Sequence, residues 1–319
     1  MVEAINLALK QEMEKDDKVI VLGEDVGRNG GVFRITEGLW QKFGEERVID
    51  TPLAELGIVG VSIGLAVAGL KPVAEIQFDG FAPPAFDQII SHVGKIRNRS
   101  RGRFTLQMVI RFPSGGGIRA LEHHSETMDT YLVHTPGIKV VVPATPYDAK
   151  GLLISSIRSK NPVIFVEPKK VYRAIKEDVP EEEYTIPIGE AEVVKEGNDV
   201  TVIAWGAMVK TANEAVRKIG DKYSVEILNL RTLKPLDVAA IMKSVKKTGR
   251  CVIVQEGPKT LGMAAELIAL INEKVFLNLE APVKRVTGYD TPTPLPKLEN
   301  YYLPNVDKVV DSIEAVMKF

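Results

Sequence analysis

The chain is sparing with the residues that usually mark a metal or redox site. It holds one cysteine, four histidines and two tryptophans in 319 residues, and aromatics make up only 6%. A single cysteine excludes a disulfide framework within the chain, and no CxxC pair exists for a zinc site. Cys251 lies in the apolar run Cys251–Val254 and reads as a small core residue in a reducing compartment. Net charge is −1, which gives no electrostatic footprint for nucleic acid or an anionic membrane surface. The longest uncharged run is too short and too glycine-rich to span a bilayer. No basic-then-apolar leader opens the sequence, and residues 1–9 look like the start of an amphipathic helix. A soluble, cytoplasmic protein is expected. The 45% hydrophobic and 26% charged content supports a sizeable core.

What is present is an alternation. Short apolar runs rich in β-branched residues (19–22, 47–50, 72–78, 106–111, 138–143 and 162–166) are separated by helical patterns near 2–14, 54–69, 82–98 and 146–159. Continuous apolar strands between helices argue for a parallel sheet covered on both faces. Residues 169–198 break the pattern with charges and prolines and read as a linker or strand-poor crossover. The alternation restarts with runs at 199–206, 225–230, 250–255 and 282–286 and helices near 207–219, 236–247, 262–274 and 306–317. The reading is α/β throughout, as two three-layer α/β domains over 1–185 and 186–319.

Individual motifs are weak. Gly60-Val-Ser-Ile-Gly64 matches the G-x-S-x-G nucleophile elbow, but that elbow needs a strand before it, and Glu55–Val59 reads as helix. Gly115-Gly-Gly117 follows a strand without opening a helix, which favours a glycine-rich active-site loop over a dinucleotide fingerprint. His123 and His124 are adjacent and so point apart, a poor metal pair; one catalytic histidine in a glycine-rich loop is the functional alternative to two solvated ones. Glu55 follows Thr51-Pro52, a good helix opening in which Thr51 caps and an acid favours the dipole. The helix after it carries Gly57, Gly60 and Gly64, which let another backbone come close. An acid held at such a dry contact gains proton affinity and becomes a functional candidate.

Taken in order, Gly23-Glu-Asp-Val-Gly27, Asp50-Thr-Pro-Leu-Ala-Glu-Leu-Gly57, Glu75-Ile-Gln-Phe-Asp-Gly-Phe81, Ile110-Arg-Phe-Pro113, His124-Ser125, Asp148-Ala-Lys-Gly151 and Leu230-Arg-Thr-Leu-Lys-Pro235 resemble the beta subunit of the thiamine-diphosphate-dependent 2-oxo acid dehydrogenases. The resemblance covers essentially the whole chain. It implies a pyrimidine-binding thiamine diphosphate domain followed by a transketolase C-terminal-like domain, in a heterotetramer of two alpha and two beta subunits with the cofactor between an alpha and a beta chain.

By the same resemblance, Glu55 hydrogen-bonds the aminopyrimidine ring of thiamine diphosphate and drives it toward its imino tautomer. Phe81 packs on the pyrimidine face, Gln77 and Leu53 line the cofactor pocket, and His124 handles protons and acyl transfer to the lipoyl group. His123 receives no role. No metal ligand is expected in this chain; Mg2+ at the diphosphate is held mainly by the alpha subunit. A potassium loop of some relatives resembles Ser156–Asn161, but an aspartate used there is Ser159 here, which argues against the ion. The implied substrate is a small 2-oxo acid, and Asn278–Pro282 with Gly288–Pro292 lean toward branched-chain 2-oxo acids rather than pyruvate. The further partner is a lipoyl-bearing acyltransferase core. A split transketolase and a non-catalytic scaffold are the rival readings.

Overall fold

The apolar runs become strands of two sheets in the computed structural model, which describes residues 1–319. In chain order they are β1 (Val19–Gly23), β2 (Val48–Asp50), β3 (Lys71–Glu75), β4 (Val109–Ser114), β5 (Lys139–Val141), β6 (Val163–Pro168), β7 (Glu192–Lys195), β8 (Val200–Ala204), β9 (Val225–Asn229), β10 (Thr232–Lys234), β11 (Cys251–Val254) and β12 (Lys284–Val286). The first sheet has the order β10-β5-β6-β4-β3-β1-β2 and the second β12-β11-β8-β9-β7. Pairing is parallel except at two edges, where β10 runs antiparallel to β5 and β7 antiparallel to β9.

Period-two alternation splits the central strands between two cores. Val163 and Phe165 of β6 and Val252 and Val254 of β11 join one hydrophobic cluster, while Ile164, Val166, Cys251 and Ile253 join the other. Both clusters run through both sheets, so the two halves share their interior. Burial pushes the Cys251 thiol well above its usual range, as suits an inert core residue.

Two expectations change. The 82–98 stretch is not one helix but a turn at Pro83–Ala85, a wide π-type segment at Gln88–Val93 and a short helix at Ile96–Arg99. Pro83 and Pro84 lack amide donors, and Gly94 sits so close to the Pro136 carbonyl that a Cβ would lie 2.5 Å from it. The 169–198 segment contains the edge strand β7. Strand β10, which is not among the apolar runs, comes from the C-terminal half yet completes the first sheet.

Two quoted motifs explain how the halves are fastened. Asp148, fully buried in the first turn of the Pro146–Arg158 helix, accepts from Arg231 Nε at 2.7 Å and Asn229 Nδ2 at 3.0 Å. Lys150 donates to the carbonyls of Pro180, Glu181 and Glu182, tying down the connecting segment. Gly151 must be glycine because a Cβ would lie 2.7 Å from both Tyr184 and Ile186.

Candidate active site

In an open parallel sheet the ligand crevice lies beyond the carboxyl ends of the strands, where the winding reverses. In the first sheet that point is between β1 and β3: the chain passes from β1 outward to β2, then returns to place β3 on the other side. Acidic residues gather there, with one amide. Glu24 and Asp25 follow β1, Glu55 opens the Glu55–Val67 helix after β2, and Gln77 lies just past β3. Gln77 Nε2 donates to Asp25 Oδ2 at 3.2 Å. Burial, then the charges of Asp25 and Glu55, push the Glu24 carboxyl above its usual range. These like charges therefore interact, and sequence reasoning gave Glu24 and Asp25 no role. Their signal was two adjacent acids closing a buried strand.

Glu55 is half-buried, and no hydrogen bond of the chain engages its carboxylate. The dry contact expected for it is not made by this chain alone. Thr51 does not cap the helix: Ala54 is the N-cap residue, without a side-chain bond, and Thr51 Oγ1 is buried without a partner. Pro52 and Leu53 place Thr51 too far upstream of the first turn. The helix packs its Ile58, Val59, Ser62 and Ala66 face inward. Its other face is apolar and open, with Leu56 51% and Val61 58% exposed and nothing within 4 Å of a Cβ placed on Gly64, and Leu53 just upstream is exposed as well. Ser62 donates to the Ile58 carbonyl at 2.7 Å inside the helix, so it is no elbow nucleophile.

A second group gathers beside this crevice. Phe81 ends the turn Asp79–Phe81, and its ring meets the His124 imidazole edge-on at 5.1 Å. Phe78 approaches the same imidazole at 4.3 Å. Both are ordinary aromatic spacings. His124 Nδ1 lies 2.6 Å from the Glu122 carbonyl, and Lys169 holds the His124 carbonyl. His123 is exposed, with φ of 63°, and its ring lies farther from Phe81, at 6.5 Å and tilted. Thus the structure brings Phe81 to His124 and Gln77 to Asp25. Glu55 acts on Glu24 through its charge, and Leu53 is exposed.

Between β3, β4 and β6 lies a cluster that sequence analysis missed. Arg111 is fully buried, with Nε 2.6 Å from Glu167 Oε1 and Nη2 2.8 Å from Glu167 Oε2, and it also bonds Glu75. Tyr172 donates its hydroxyl to Glu167 at 2.5 Å. At the Ser156–Asn161 loop, Lys139 Nζ donates to Ser159 Oγ at 3.2 Å, so an ammonium sits at that loop. No group of three or more His, Cys, Asp or Glu side chains is arranged to hold a metal ion.

The crevice fits the aminopyrimidine half of thiamine diphosphate: a free carboxylate for a ring nitrogen, an aromatic ring and an exposed leucine for its faces. Comparison with known proteins identifies the family. Residues 1–175 match the family described as the transketolase pyrimidine binding domain, and residues 189–309 match the transketolase C-terminal domain. The pyruvate dehydrogenase E1 component subunit beta of Acholeplasma laidlawii is 53% identical over 319 residues, covering 100% of this chain and 98% of that protein. Its counterpart in Staphylococcus aureus strain Mu50 is 50% identical over 320 residues, with the same coverage. A solved structure described as a split gene transketolase in an inactive beta4 tetramer superposes with a TM-score of 0.81, covering 99% of this chain and 97% of that one; at 23% identity this likeness speaks for the fold. With strand order, crevice and end-to-end identity in agreement, the chain belongs to the beta subunits of the thiamine-diphosphate-dependent 2-oxo acid dehydrogenases.

Proposed function

We propose that the chain is the beta subunit of a pyruvate-decarboxylating E1 enzyme, paired with an alpha subunit and passing its acyl product to a lipoyl-bearing acyltransferase. The branched-chain lean of the C-terminal motifs gives way to pyruvate, because the half-identical relatives carry the pyruvate name. The observation that carries the assignment is Glu55: an unengaged carboxylate at the switch point, at the foot of an open, small-featured helix face. That face suits a partner backbone, and the alpha subunit is the partner the family supplies. Its arrival would exclude water around Glu55 and strengthen any hydrogen bond that carboxylate makes.

When bound, thiamine diphosphate supplies the electron sink for loss of carbon dioxide. Glu55 would hold the aminopyrimidine ring and fix where its proton resides. Phe81 and Leu53 would cover the ring, and Gln77 would close the pocket through its bond to Asp25. His124 would serve the later transfer of the acyl group. Magnesium at the diphosphate would be held mainly by the alpha subunit, through oxygen ligands.

The test is kinetics of the reconstituted two-alpha, two-beta enzyme with pyruvate and with 3-methyl-2-oxobutanoate. A higher kcat/KM for pyruvate is expected, and no turnover from the beta chain alone. Preference for the branched substrate defeats the pyruvate assignment; turnover by the lone chain defeats the shared site.

A further inference from the structure

The second sheet has a switch point of its own, between β8 and β11, because the chain runs from β8 to β9 on one side and to β11 and β12 on the other. By the rule that located the first crevice, a ligand belongs there. The crevice is instead filled by the glycine-rich loop of the N-terminal half. Trp205, immediately past β8, donates its indole N–H to buried Asp129 at 3.3 Å. Glu256, two residues past β11, accepts the Gly116 N–H at 2.5 Å. Glu299, in the short helix Glu299–Tyr302, accepts the Gly117 N–H at 2.8 Å and the Arg119 N–H at 3.1 Å. Two carboxylates thus take three backbone amides from a loop more than a hundred residues away.

The loop sequence is built for this capture. Gly115 and Gly117 have φ of 78° and 93°, which turns successive amides toward one side. A Cβ on Gly115 would lie 2.7 Å from Glu256 Oε1, and one on Gly116 2.9 Å from Glu299 Oε1. The glycines therefore serve a fixed close approach rather than flexibility. At its far end the loop is held again: Lys169 grips the His124 carbonyl, and a Cβ on Gly80 would lie 2.0 Å from the His123 carbonyl oxygen. Hydrogen bonds to ionised acceptors are about twice as strong as neutral ones, so losing one of these acids frees the loop more than losing a neutral contact would.

We propose that Glu256 and Glu299 are positioning residues, through which the C-terminal half holds the 115–128 loop so that the His124 imidazole stays packed on Phe78 and Phe81, ready for acyl transfer. This rests on the acyl-transfer role given to His124 above. Neither acid touches the reacting atoms.

The experiment uses the reconstituted heterotetramer and two assays: decarboxylation with a dye as electron acceptor, which needs no lipoyl group, and acyl transfer to a free lipoyl domain. Glu299→Ala is expected to slow acyl transfer about tenfold while dye-linked decarboxylation stays within about threefold. Glu299→Gln, whose amide oxygen still accepts an N–H, is expected to recover most of the loss. Trypsin should cut after exposed Arg119 faster in the alanine variant than in the parent. Equal losses in both assays, no rescue by glutamine, or unchanged cleavage at Arg119 overturns the proposal. His124→Ala separates the two readings. If it spares acyl transfer, the role of His124 falls and the clamp's purpose with it; if it abolishes transfer while Glu299→Ala is silent, the clamp alone falls. Should Glu299→Ala fail to assemble, Glu256→Ala, which removes the acceptor of the Gly116 N–H, is held to the same pattern: transfer lost selectively supports the clamp, and parallel losses overturn it.

Discussion

Two sets of carboxylates stand at the carboxyl ends of the same sheet, one to four strands apart, under opposite conditions. Glu75 and Glu167 are buried and share Arg111, with Tyr172 adding a hydrogen bond. Burial still pushes Glu75 above its usual range, because one guanidinium serves two acids. Glu24, Asp25 and Glu55 are at least partly open, and the charges acting on Glu24 are the like charges of its neighbours. The first set is complete within the chain and therefore structural. The second is unfinished, and an unfinished cluster at a ligand crevice points outward, to a cofactor and a partner surface. A perturbed acid alone would not have separated the two; the presence or absence of an internal counter-charge does.

Four substitutions sharpen that contrast. Arg111→Met should be the most damaging to the fold, since it strands two buried carboxylates at a cost of about 3–5 kcal/mol. The expected result is loss of soluble heterotetramer or a large fall in the urea midpoint. Glu55→Ala should do the reverse. Assembly and melting temperature stay near the parent, while turnover falls about a hundredfold or more, the scale of a removed acid–base group. A variant that assembles and turns over fully would favour the scaffold reading. Asp129→Asn probes an intermediate case. Asp129 is buried but accepts from Trp205 and the Thr130 amide, and burial raises its pKa from 3.8 to about 6. The folded state thus binds this proton more tightly than the unfolded state. Its stabilisation is full below about pH 3.8 and is lost as pH rises through about 6. Asparagine should flatten that part of the melting-temperature profile between pH 4 and 7, and an unchanged slope would show that Asp129 is not its source. Lys218→Ala removes a solvent-exposed partner of Asp307, and such pairs contribute little. Its urea midpoint is expected to be unmoved.

Much of the architecture was legible because its signals are local. Helix Ala207–Ile219 and helix Val306–Met317 begin and end where apolar periodicity says they should. Buried strands such as β6 and β11 announce themselves as unbroken apolar runs. Strand β10 was illegible because three residues carry no period, and only its register against β5, some ninety residues earlier, makes it a strand. The 82–98 stretch misled because an apolar helical pattern says nothing of the Pro136 carbonyl that shapes Gly94. In the site, Glu55 stood out as one acid before a long uncharged run, and the ordered motifs supplied Phe81 and His124. Arg111 was hidden inside a strand. Glu256 and Glu299 were hidden because a carboxylate that binds backbone amides leaves no mark in the sequence of its partner except glycine, and glycine has many uses.

Strand β10 has a practical consequence for anyone who would exchange or express the halves separately. A cut in the connecting segment would strip the first sheet of its outer border and expose the β5 edge, a template for unwanted association. A chimera that takes its C-terminal half from a relative must import residues 232–234 fitted to the host's β5, along with the Arg231 that reaches Asp148. The boundary visible in the sequence is a place where the chain passes between sheets, not a seam along which the molecule comes apart.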